Sequence, residues 1–376
     1  MAGLYIHIPF CQSRCVYCDF YSTTLPRVWQ MPYVRALVEE LRMRRAECGP
    51  QVETLYLGGG TPSQLSREAL LKLFEGIRAH AALSPTAEIT IEANPDDISP
   101  KWIETLRETP VNRVSMGVQS FDDGILRTLH RRHTAEQARR AVGMLQEAGY
   151  DNLSLDLIYG LPGQTLEAFG ADVATVLSLG VPHLSAYALQ YESGTQLYEM
   201  RRQGLIEEAD EELSLSCYQR LIDLAEGAGL EHYEISNFAR PGRRSRHNSS
   251  YWTGAAYVGL GAGAHSYDGA RRRSSNGEDL AEYIRSIEKG ERPCDEEVLD
   301  DDTLYNELVM LRLRTREGLY LPEVEVVYTP ERRLYISRMA ERAIKTGWLT
   351  EKADGHLCLT RQGLFVSDDV ISDLMA

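Results

Sequence analysis

The sequence of 376 residues contains no apolar run of the ~18 residues that a membrane-spanning helix requires. It also lacks the charged and apolar N-terminal regions that are typical of a signal peptide. Acidic residues outnumber basic ones by 55 to 40, and the net charge of −15 argues against the broad basic surface of a nucleic-acid-binding protein. These absences predict a cytoplasmic protein with no membrane span and no nucleic-acid partner.

Cysteine is scarce and unevenly distributed, which argues against a disulfide framework. The chain has seven cysteines, and four of them, Cys48, Cys217, Cys294 and Cys358, are isolated in the sequence. This usage suits a reducing compartment. The four isolated residues are predicted to be free thiols, most of them packed as small apolar side chains.

The other three cysteines, Cys11, Cys15 and Cys18, have the spacing CxxxCxxC between an apolar strand and a predicted helix. Three close thiolates do not suit structural zinc, which usually takes four ligands in two pairs. They suit a cubane iron–sulfur cluster that leaves one iron open for reaction. The motif resembles that of the radical S-adenosylmethionine (SAM) family. The resemblance implies a [4Fe-4S] cluster with SAM at the open iron, where a reduced cluster can cleave SAM to a 5′-deoxyadenosyl radical.

Strand patterns alternate with helical patterns along the first half of the chain. This alternation predicts βαβ units around a parallel sheet. With the resemblance, it predicts the α/β class and a partial (β/α)6 barrel, whose functional side chains lie at the C-terminal ends of strands. The six predicted strands are 4–8, 52–57, 87–93, 111–118, 153–159 and 183–189.

The rest of the chain predicts a second, smaller unit. An acidic and polar stretch at 290–302 is followed by two helical patterns and a β-hairpin pattern. We therefore predict a radical SAM core over 1–270, a linker or edge segment over 271–302, and a small α+β, winged-helix-like module over 303–376.

Polar residues or glycines follow or end the predicted strands. The glycines of 58–61 expose backbone groups that suit the amine of the methionine part of SAM. Glu92, Gln119, Arg131 and Asp156 are candidate partners for the ribose and carboxylate, and arginine suits a carboxylate in bidentate geometry.

From Tyr5 to about Leu189 the chain resembles the oxygen-independent coproporphyrinogen III oxidase family of radical SAM proteins. The matching stretches are YIHIPFC from Tyr5, GGGTP from Gly58, IE from Ile91, SMGVQ from Ser115 and DLIYGLP from Asp156. By position, the resemblance implies that SAM is contacted by Tyr5, Tyr17, Gly59, Gly60, Thr61, Glu92, Gln119, Arg131 and Asp156.

Two departures from the oxidases point to a haem-binding branch of this family. Phe20 stands where the oxidases have a fourth cysteine, and an HNxxYW motif runs from His247 to Trp252 behind the basic stretch 243–246. The resemblance ties this motif to haem. Imidazole is a natural axial ligand of haem iron, aromatic rings can line a porphyrin, and arginines can meet propionates. His247 is therefore the candidate haem ligand.

Three hypotheses follow. The first is a haem chaperone that keeps a [4Fe-4S] cluster and SAM and passes haem to acceptor proteins, membrane respiratory proteins among the candidates. The alternative is coproporphyrinogen III oxidase, which would decarboxylate two propionates in porphyrin biosynthesis; Phe20 argues against it. The third is a radical SAM enzyme that acts on another tetrapyrrole, for example in haem breakdown. No catalytic residue is assigned, and the acceptor, covalent haem attachment, SAM turnover and a homodimer are left open.

Overall fold

The computed structural model describes residues 2–376, which form fifteen strands in two sheets. The strands are β1 (Ala2–Ile8), β2 (Val52–Gly59), β3 (Leu83–Ala93), β4 (Arg113–Gln119), β5 (Leu153–Tyr159), β6 (His183–Ala188), β7 (Glu231–Glu234), β8 (Asn237–Ala239), β9 (Tyr257–Leu260), β10 (His265–Tyr267), β11 (Arg272–Asn276), β12 (Cys294–Val298), β13 (Leu319–Tyr320), β14 (Leu349–Glu351) and β15 (His356–Leu359).

The same residues form fifteen α-helices and three short 3-10 turns. The helices are α1 (Gln30–Met43), α2 (Arg67–His80), α3 (Pro100–Arg107), α4 (Asp123–Thr128), α5 (Ala135–Glu147), α6 (Leu166–Ser178), α7 (Gln196–Arg202), α8 (Glu211–Gly227), α9 (Arg246–Trp252), α10 (Leu280–Glu288), α11 (Asp301–Leu313), α12 (Leu321–Val327), α13 (Pro330–Lys345), α14 (Arg361–Leu364) and α15 (Ser367–Leu374). None of these helices is both long enough and apolar enough to cross a membrane.

The large sheet has the strand order β12-β11-β10-β9-β1-β2-β3-β4-β5-β6-β8-β7. Strands β1 to β6 are parallel, and each pairs with the next one along the chain. Strand β9 joins β1 in parallel, while antiparallel strands extend both edges. The predicted partial (β/α)6 barrel is therefore confirmed, and the carboxyl ends of its strands meet at one rim.

The two faces of these strands differ sharply in polarity. Leu4, Ile6 and Ile8 of β1 are fully buried in the core beneath the helices. Because successive side chains of a strand point to opposite faces, the other face forms the barrel interior. That face carries Tyr5, Tyr56, Glu88, Glu92, Arg113, Ser115, Ser154, Asp156 and His183. A closed barrel of this type fills its interior with branched apolar side chains, whereas this one offers hydrogen-bonding groups.

Side-chain caps fix the beginnings of several helices. Ser66 accepts a hydrogen bond from the Ala69 N–H at the start of α2, and Ser99 caps α3. Thr134 and Gln137 form a reciprocal capping box at the start of α5. Each such cap contributes about 1 kcal/mol to helix stability, so these boundaries are set by local chemistry.

Two polar segments, 239–252 and 268–276, contain regular elements. The stretch 239–252 contains α9, because Ser245 caps the helix and Glu88 of β3 accepts hydrogen bonds from the N–H groups of Arg246 and His247 at 3.1 and 3.0 Å. The segment 268–276 contains β11, which pairs with β10 and β12. The contact with Glu88 is tertiary, because this residue lies more than 150 positions before α9, whereas β11 pairs with strands that are near it in the sequence.

The C-terminal residues pack around a core of their own, which includes Tyr305, Val309, Ile336 and Leu374. Its strands form a small sheet in the order β13-β15-β14 beside α11 to α15, as expected of the small α+β module. The segment 271–302 contributes β11 and β12 to an edge of the large sheet and packs α10 on the barrel core. The domain boundaries at 270 and 302 stay a prediction.

Candidate cluster and cofactor site

A cavity of about 770 Å³ opens at the rim where the carboxyl ends of β1 to β6 meet. All three clustered cysteines line it. So does every residue that was predicted to contact SAM, apart from Tyr5. These lining residues are Cys11, Cys15, Tyr17, Cys18, Gly59, Gly60, Thr61, Glu92, Gln119, Arg131 and Asp156. The fold thus brings together residues that are up to 145 positions apart, from Cys11 to Asp156.

The cysteine loop is held at the rim by hydrogen bonds to its thiols. The thiols of Cys11, Cys15 and Cys18 are free and partly exposed. The Sγ of Cys11 lies 3.3 Å from Thr61 Oγ1, and Arg131 Nη1 donates to Cys15 Sγ at 3.3 Å. Both contacts hold these sulfurs at the lining of the cavity, and metals bind cysteine as the thiolate.

Val16 anchors this loop between two of its cysteines. Its side chain is buried in a small apolar cluster that includes Ile125 and Leu129. The Val16 N–H donates to the Leu129 carbonyl at 3.4 Å, and its carbonyl accepts from the Leu197 N–H at 2.8 Å. Because Val16 points into the protein, Cys15 and Cys18 on either side can face the cavity.

The donor set fits a cluster better than a single ion. The described residues 2–376 contain no group of three or more His, Cys, Asp or Glu side chains arranged to hold a metal ion. A cubane is several atoms wide, so its ligands do not have to converge on one point. Three thiols around one cavity suit iron–sulfur ligation, because soft thiolates favour such clusters.

The glycine loop after β2 allows a close approach of the backbone. Gly59 has a φ of +111°, and a Cβ built there would lie 2.4 Å from the His7 ring. A Cβ on Gly60 would lie 2.6 Å from the Pro9 carbonyl oxygen. Only glycine fits at these two positions, so the loop can present its backbone directly to a bound ligand.

Two buried carboxyl groups, Glu92 and Asp156, face the cavity with perturbed acidity. Burial raises the pKa of Glu92 to about 7, and the hydrogen bonds from Tyr56 OH (2.8 Å) and Gly59 N–H (3.1 Å) oppose that rise. Burial also raises the pKa of Asp156 to about 6. Asp156 Oδ1 has no hydrogen-bond partner among residues 2–376, so it can accept from a ligand hydroxyl such as a ribose.

Arg131 and Gln119 depend on unusual backbone geometry. Arg131 Nη2 donates to Asn94 Oδ1 at 2.8 Å and also to the Gly117 carbonyl. Gln119 and His130, the residue before Arg131, have φ angles of +69° and +55°. Left-handed backbone costs non-glycine residues of order 1–3 kcal/mol and clusters at functional sites. This strain therefore marks the wall of the cavity as a functional surface.

Tyr5 and His247 are the two predicted site residues that do not line the cavity. Tyr5 lies in the barrel interior, where its hydroxyl is 3.1 Å from His7 Nδ1 and its ring stacks on Tyr56. His247 is 1% exposed. Its ring also stacks on Tyr56, with the two ring centroids 5.0 Å apart.

Both ring nitrogens of His247 are engaged. Nδ1 lies 2.9 Å from Thr54 Oγ1, and Nε2 lies 2.8 Å from Tyr251 OH. Burial lowers the pKa of His247 to about 3, and the nearby Arg113 cation adds to this effect. The ring is therefore neutral, the form that ligates iron. Ligation would require the loss of one hydrogen bond and a displacement of α9, and the role stays a prediction.

The structure adds residues that the sequence analysis missed. Tyr56 could have been found, because it alternates with the apolar Leu55 and Leu57 and so points into the barrel. Arg314 and Phe365 line the cavity itself. They come from the C-terminal part of the chain, and no local pattern signals their contribution.

Comparisons with known proteins identify the class. The family model described as the Radical SAM superfamily matches residues 5–176, and the HemN C-terminal domain model matches residues 299–366. The solved structure of coproporphyrinogen III oxidase (HemN) from Escherichia coli, titled a radical SAM enzyme, covers 100% of this chain and 90% of its own with a TM-score of 0.86. Its 23% identity supports the fold alone. The fold is that of a radical SAM protein.

Two curated relatives narrow this class. The chain is 37% identical to the heme chaperone HemW of Lactococcus lactis, over 85% of this chain and 83% of that protein. It is 36% identical to the heme chaperone HemW of Mycobacterium tuberculosis, over 99% and 94% of the two chains. The chain belongs to the HemW family of radical SAM proteins, which confirms the predicted resemblance.

Proposed function

We propose that this protein is a haem chaperone, which binds haem and passes it to acceptor proteins in the cytoplasm or at its membrane. The observation that carries the proposal is its similarity, over 83% or more of their length, to relatives named heme chaperones. Phe20 supports it, because this residue is 65% exposed at the cavity where the oxidases would carry a further cysteine.

Within this proposal, Cys11, Cys15 and Cys18 would hold a [4Fe-4S] cluster, and SAM would bind beside it in the cavity. The cluster and SAM supply one-electron chemistry when bound. The chain orients them: the backbone at Gly59 and Gly60 approaches the ligand, as do Tyr17 and Thr61 from the cavity wall. In the same proposal, Arg131 meets the carboxylate, Asp156 accepts from the ribose, and Glu92 and Gln119 complete the pocket. Tyr5 supports Glu92 indirectly, since it stacks on Tyr56, which donates to that carboxylate.

An anaerobic haem titration followed in the Soret band tests the chaperone function and the role of His247. Wild type is expected to bind haem saturably. His247→Ala is expected to raise the dissociation constant at least about tenfold, because loss of an interaction with a charged or metal centre costs about 1.5–3 kcal/mol. His265→Ala is the matched control, since His265 is exposed on β10 and lies outside the motif.

Tyr251→Phe sharpens this test. It removes the hydroxyl that engages His247 Nε2, so an axial role of Nε2 predicts unchanged or tighter haem binding in this variant. Equal haem affinity in wild type and His247→Ala would show that the axial ligand of haem iron is another residue, and the chaperone function would still stand. Wild type that binds no haem but converts coproporphyrinogen III would replace the proposal with the oxidase alternative, and SAM-dependent loss of the haem band would favour haem breakdown.

SAM binding is expected to depend on pH through Glu92. The ammonium and sulfonium groups of SAM favour the ionised carboxylate, and the pKa of Glu92 in the ligand-free protein is about 7. Below that pH the carboxyl is mainly protonated, so the affinity should fall about tenfold per pH unit. Equilibrium dialysis of cluster-loaded protein with labelled SAM between pH 6 and 8 measures this slope.

Glu92→Gln should flatten this profile, and Tyr56→Phe should move its midpoint to higher pH because it removes a hydrogen bond that lowers the pKa of Glu92. The charged and titratable groups around Glu92 are Tyr5, Tyr56, Arg113, Asp156, Tyr187 and Tyr251. Of these, Asp156 also titrates near this range, with a pKa of about 6. A slope that persists in Glu92→Gln would assign the effect to Asp156 instead.

A further inference from the structure

The cavity extends beyond the cluster and SAM residues to a second wall, which we call the distal compartment. It is lined by Tyr187, Tyr218, Arg314, Leu364 and Phe365. Tyr187 lies near the end of β6 and is 43% exposed, while Leu364 and Phe365 pack against the barrel core from the C-terminal part of the chain. The compartment thus combines flat and apolar side chains with one cation.

Arg314 is held rigidly in this compartment. Its Nε and Nη2 donate to Glu234 Oε1 at 3.1 and 2.8 Å, and its guanidinium carbon lies 4.9 Å from the ring centroid of Trp252. Its carbonyl accepts from the Ile235 N–H at 3.1 Å, which ties the backbone to the turn after β7. A guanidinium stacked on an indole and paired with a buried carboxylate cannot turn away from the cavity.

One side of this guanidinium remains available to a ligand. Nη1 has no hydrogen-bond partner among residues 2–376, whereas Glu234 is already satisfied by further donors. Its Oε2 accepts from Ser236 N–H at 3.1 Å and from Asn237 Nδ2 at 2.6 Å. Because those donors share the charge of Glu234, Arg314 keeps donor capacity for a second anion. Asp368 also lines the cavity, and its side chain is exposed to solvent.

We infer that the distal compartment binds a flat, largely apolar ligand that carries carboxylates, and that Arg314 binds one of these carboxylates. This inference rests on the proposed function and deepens it, since haem has both properties. Trp252 is then a positioning residue, because its ring supports the guanidinium from the side of α9. The HNxxYW motif would contribute to haem recognition through Trp252 and Arg314, from a position outside the cavity.

Titrations with haem and with its dimethyl ester, in which both propionates are masked, test the inference. Wild type is expected to bind haem at least about tenfold more tightly than the ester, as for one charge-assisted hydrogen bond. Arg314→Met should reduce this ratio to near one. Because that variant leaves Glu234 buried and unpaired, Arg314→Met combined with Glu234→Gln removes both charges and guards against misfolding.

Arg312→Met is the matched control. Arg312 Nη1 donates to the backbone carbonyl of Trp252, and the guanidinium pairs with Glu323. Unlike Arg314, Arg312 does not line the cavity. Arg312→Met should therefore keep the wild-type ratio of the affinity for haem to the affinity for the dimethyl ester. For Trp252, the Phe variant retains an aromatic face and should keep most of the ratio, whereas the Leu variant should lose it.

The outcomes separate this inference from the proposed function. Haem binding with an unchanged haem-to-ester ratio in Arg314→Met would overturn the subsite and keep the chaperone. If wild type binds no haem, the same variants are titrated with coproporphyrin, which carries four carboxylates. If Arg314→Met then binds coproporphyrin more weakly than wild type and Arg312→Met binds it equally well, the result would support the carboxylate subsite but not the chaperone function. Wild type that binds neither ligand would overturn both.

Discussion

Replacement of Cys15 by alanine is expected to abolish the iron–sulfur absorbance of the anaerobically reconstituted protein. Cys15 lines the cavity, and its sulfur accepts a hydrogen bond from Arg131 Nη1 at 3.3 Å. A cubane that has three protein ligands cannot replace one of them from the same loop, because the neighbouring thiols are its other two ligands. Cluster content is measured from the visible absorbance together with iron and sulfide analysis.

Cys294→Ala is the matched control for this experiment. Cys294 is also a free and partly exposed thiol, but it lies on β12 at the edge of the sheet and not in the cavity. Its replacement should leave the cluster content unchanged. A complete cubane in Cys15→Ala would show that the cluster has another ligand, and the assignment of all three cysteines would fail with it. Loss of the cluster in Cys294→Ala would likewise contradict the assignment of Cys11, Cys15 and Cys18 as the cluster ligands.

The chemistry of the site could be predicted from the sequence because its residues lie at the ends of strands. Glu92, Gln119 and Asp156 each end or occupy a strand of strong apolar pattern, and parallel strands bring their carboxyl ends together. The cysteine spacing is equally local. These features depend only on periodicity and short motifs, so one sequence is enough to place them at one rim.

The remainder of the site depends on contacts between distant parts of the chain. The helix α9 was missed because Glu88, more than 150 positions earlier, accepts hydrogen bonds from its first N–H groups. Arg314 reaches the cavity because its backbone pairs with the turn after β7. His247 is the candidate haem ligand by its motif alone. Tertiary packing places this side chain in the barrel interior, where it is 1% exposed. No local pattern encodes such contacts.

The barrel interior differs in polarity from the apolar outer face of its strands. Its walls are polar from Tyr56 and Glu92 across to Asp156 and His183. Hydrogen bonds already join neighbours there, as in the 2.7 Å contact between Ser154 Oγ and His183 Nδ1. Asp156 Oδ1 has no such partner among residues 2–376, so the interior keeps hydrogen-bonding capacity for a ligand, while the apolar outer face of the strands packs in the core.

Replacement of Glu40 by alanine is expected to lower the free energy of unfolding by about 3–5 kcal/mol. Glu40 lies on α1 with a side-chain exposure of 0%, and its Oε1 accepts from Arg44 Nη1 at 3.0 Å and Asn276 Nδ2 at 2.9 Å. Its Oε2 accepts from the Gly261 N–H at 2.9 Å and from Tyr283 OH at 2.6 Å. Alanine would leave Arg44 buried without this partner, together with three other donors.

Glu39→Ala is the neighbouring control for the same helix. Glu39 forms an exposed pair with Arg42, whose side chain is 55% accessible, and such i,i+3 pairs contribute about 0.2–0.5 kcal/mol. Urea unfolding followed by circular dichroism compares the two variants at equal m-value. Arg44 keeps its ion pair with Glu47 in this variant, so the expected loss comes from the buried donors that Glu40 no longer accepts from. A loss below about 1 kcal/mol in Glu40→Ala would contradict this account.

The same contacts connect Glu40 to the cluster site. Glu40 fixes Gly261, and Tyr33 OH donates to the His7 carbonyl at 2.9 Å while it accepts from the Ala262 N–H at 3.1 Å. The segment after β9 is thereby held against the end of β1, which leads into the cysteine loop. Glu40→Ala should therefore also retain less cluster after reconstitution than Glu39→Ala. Full cluster retention in a strongly destabilised Glu40→Ala would show that the cysteine loop holds its geometry independently of this network.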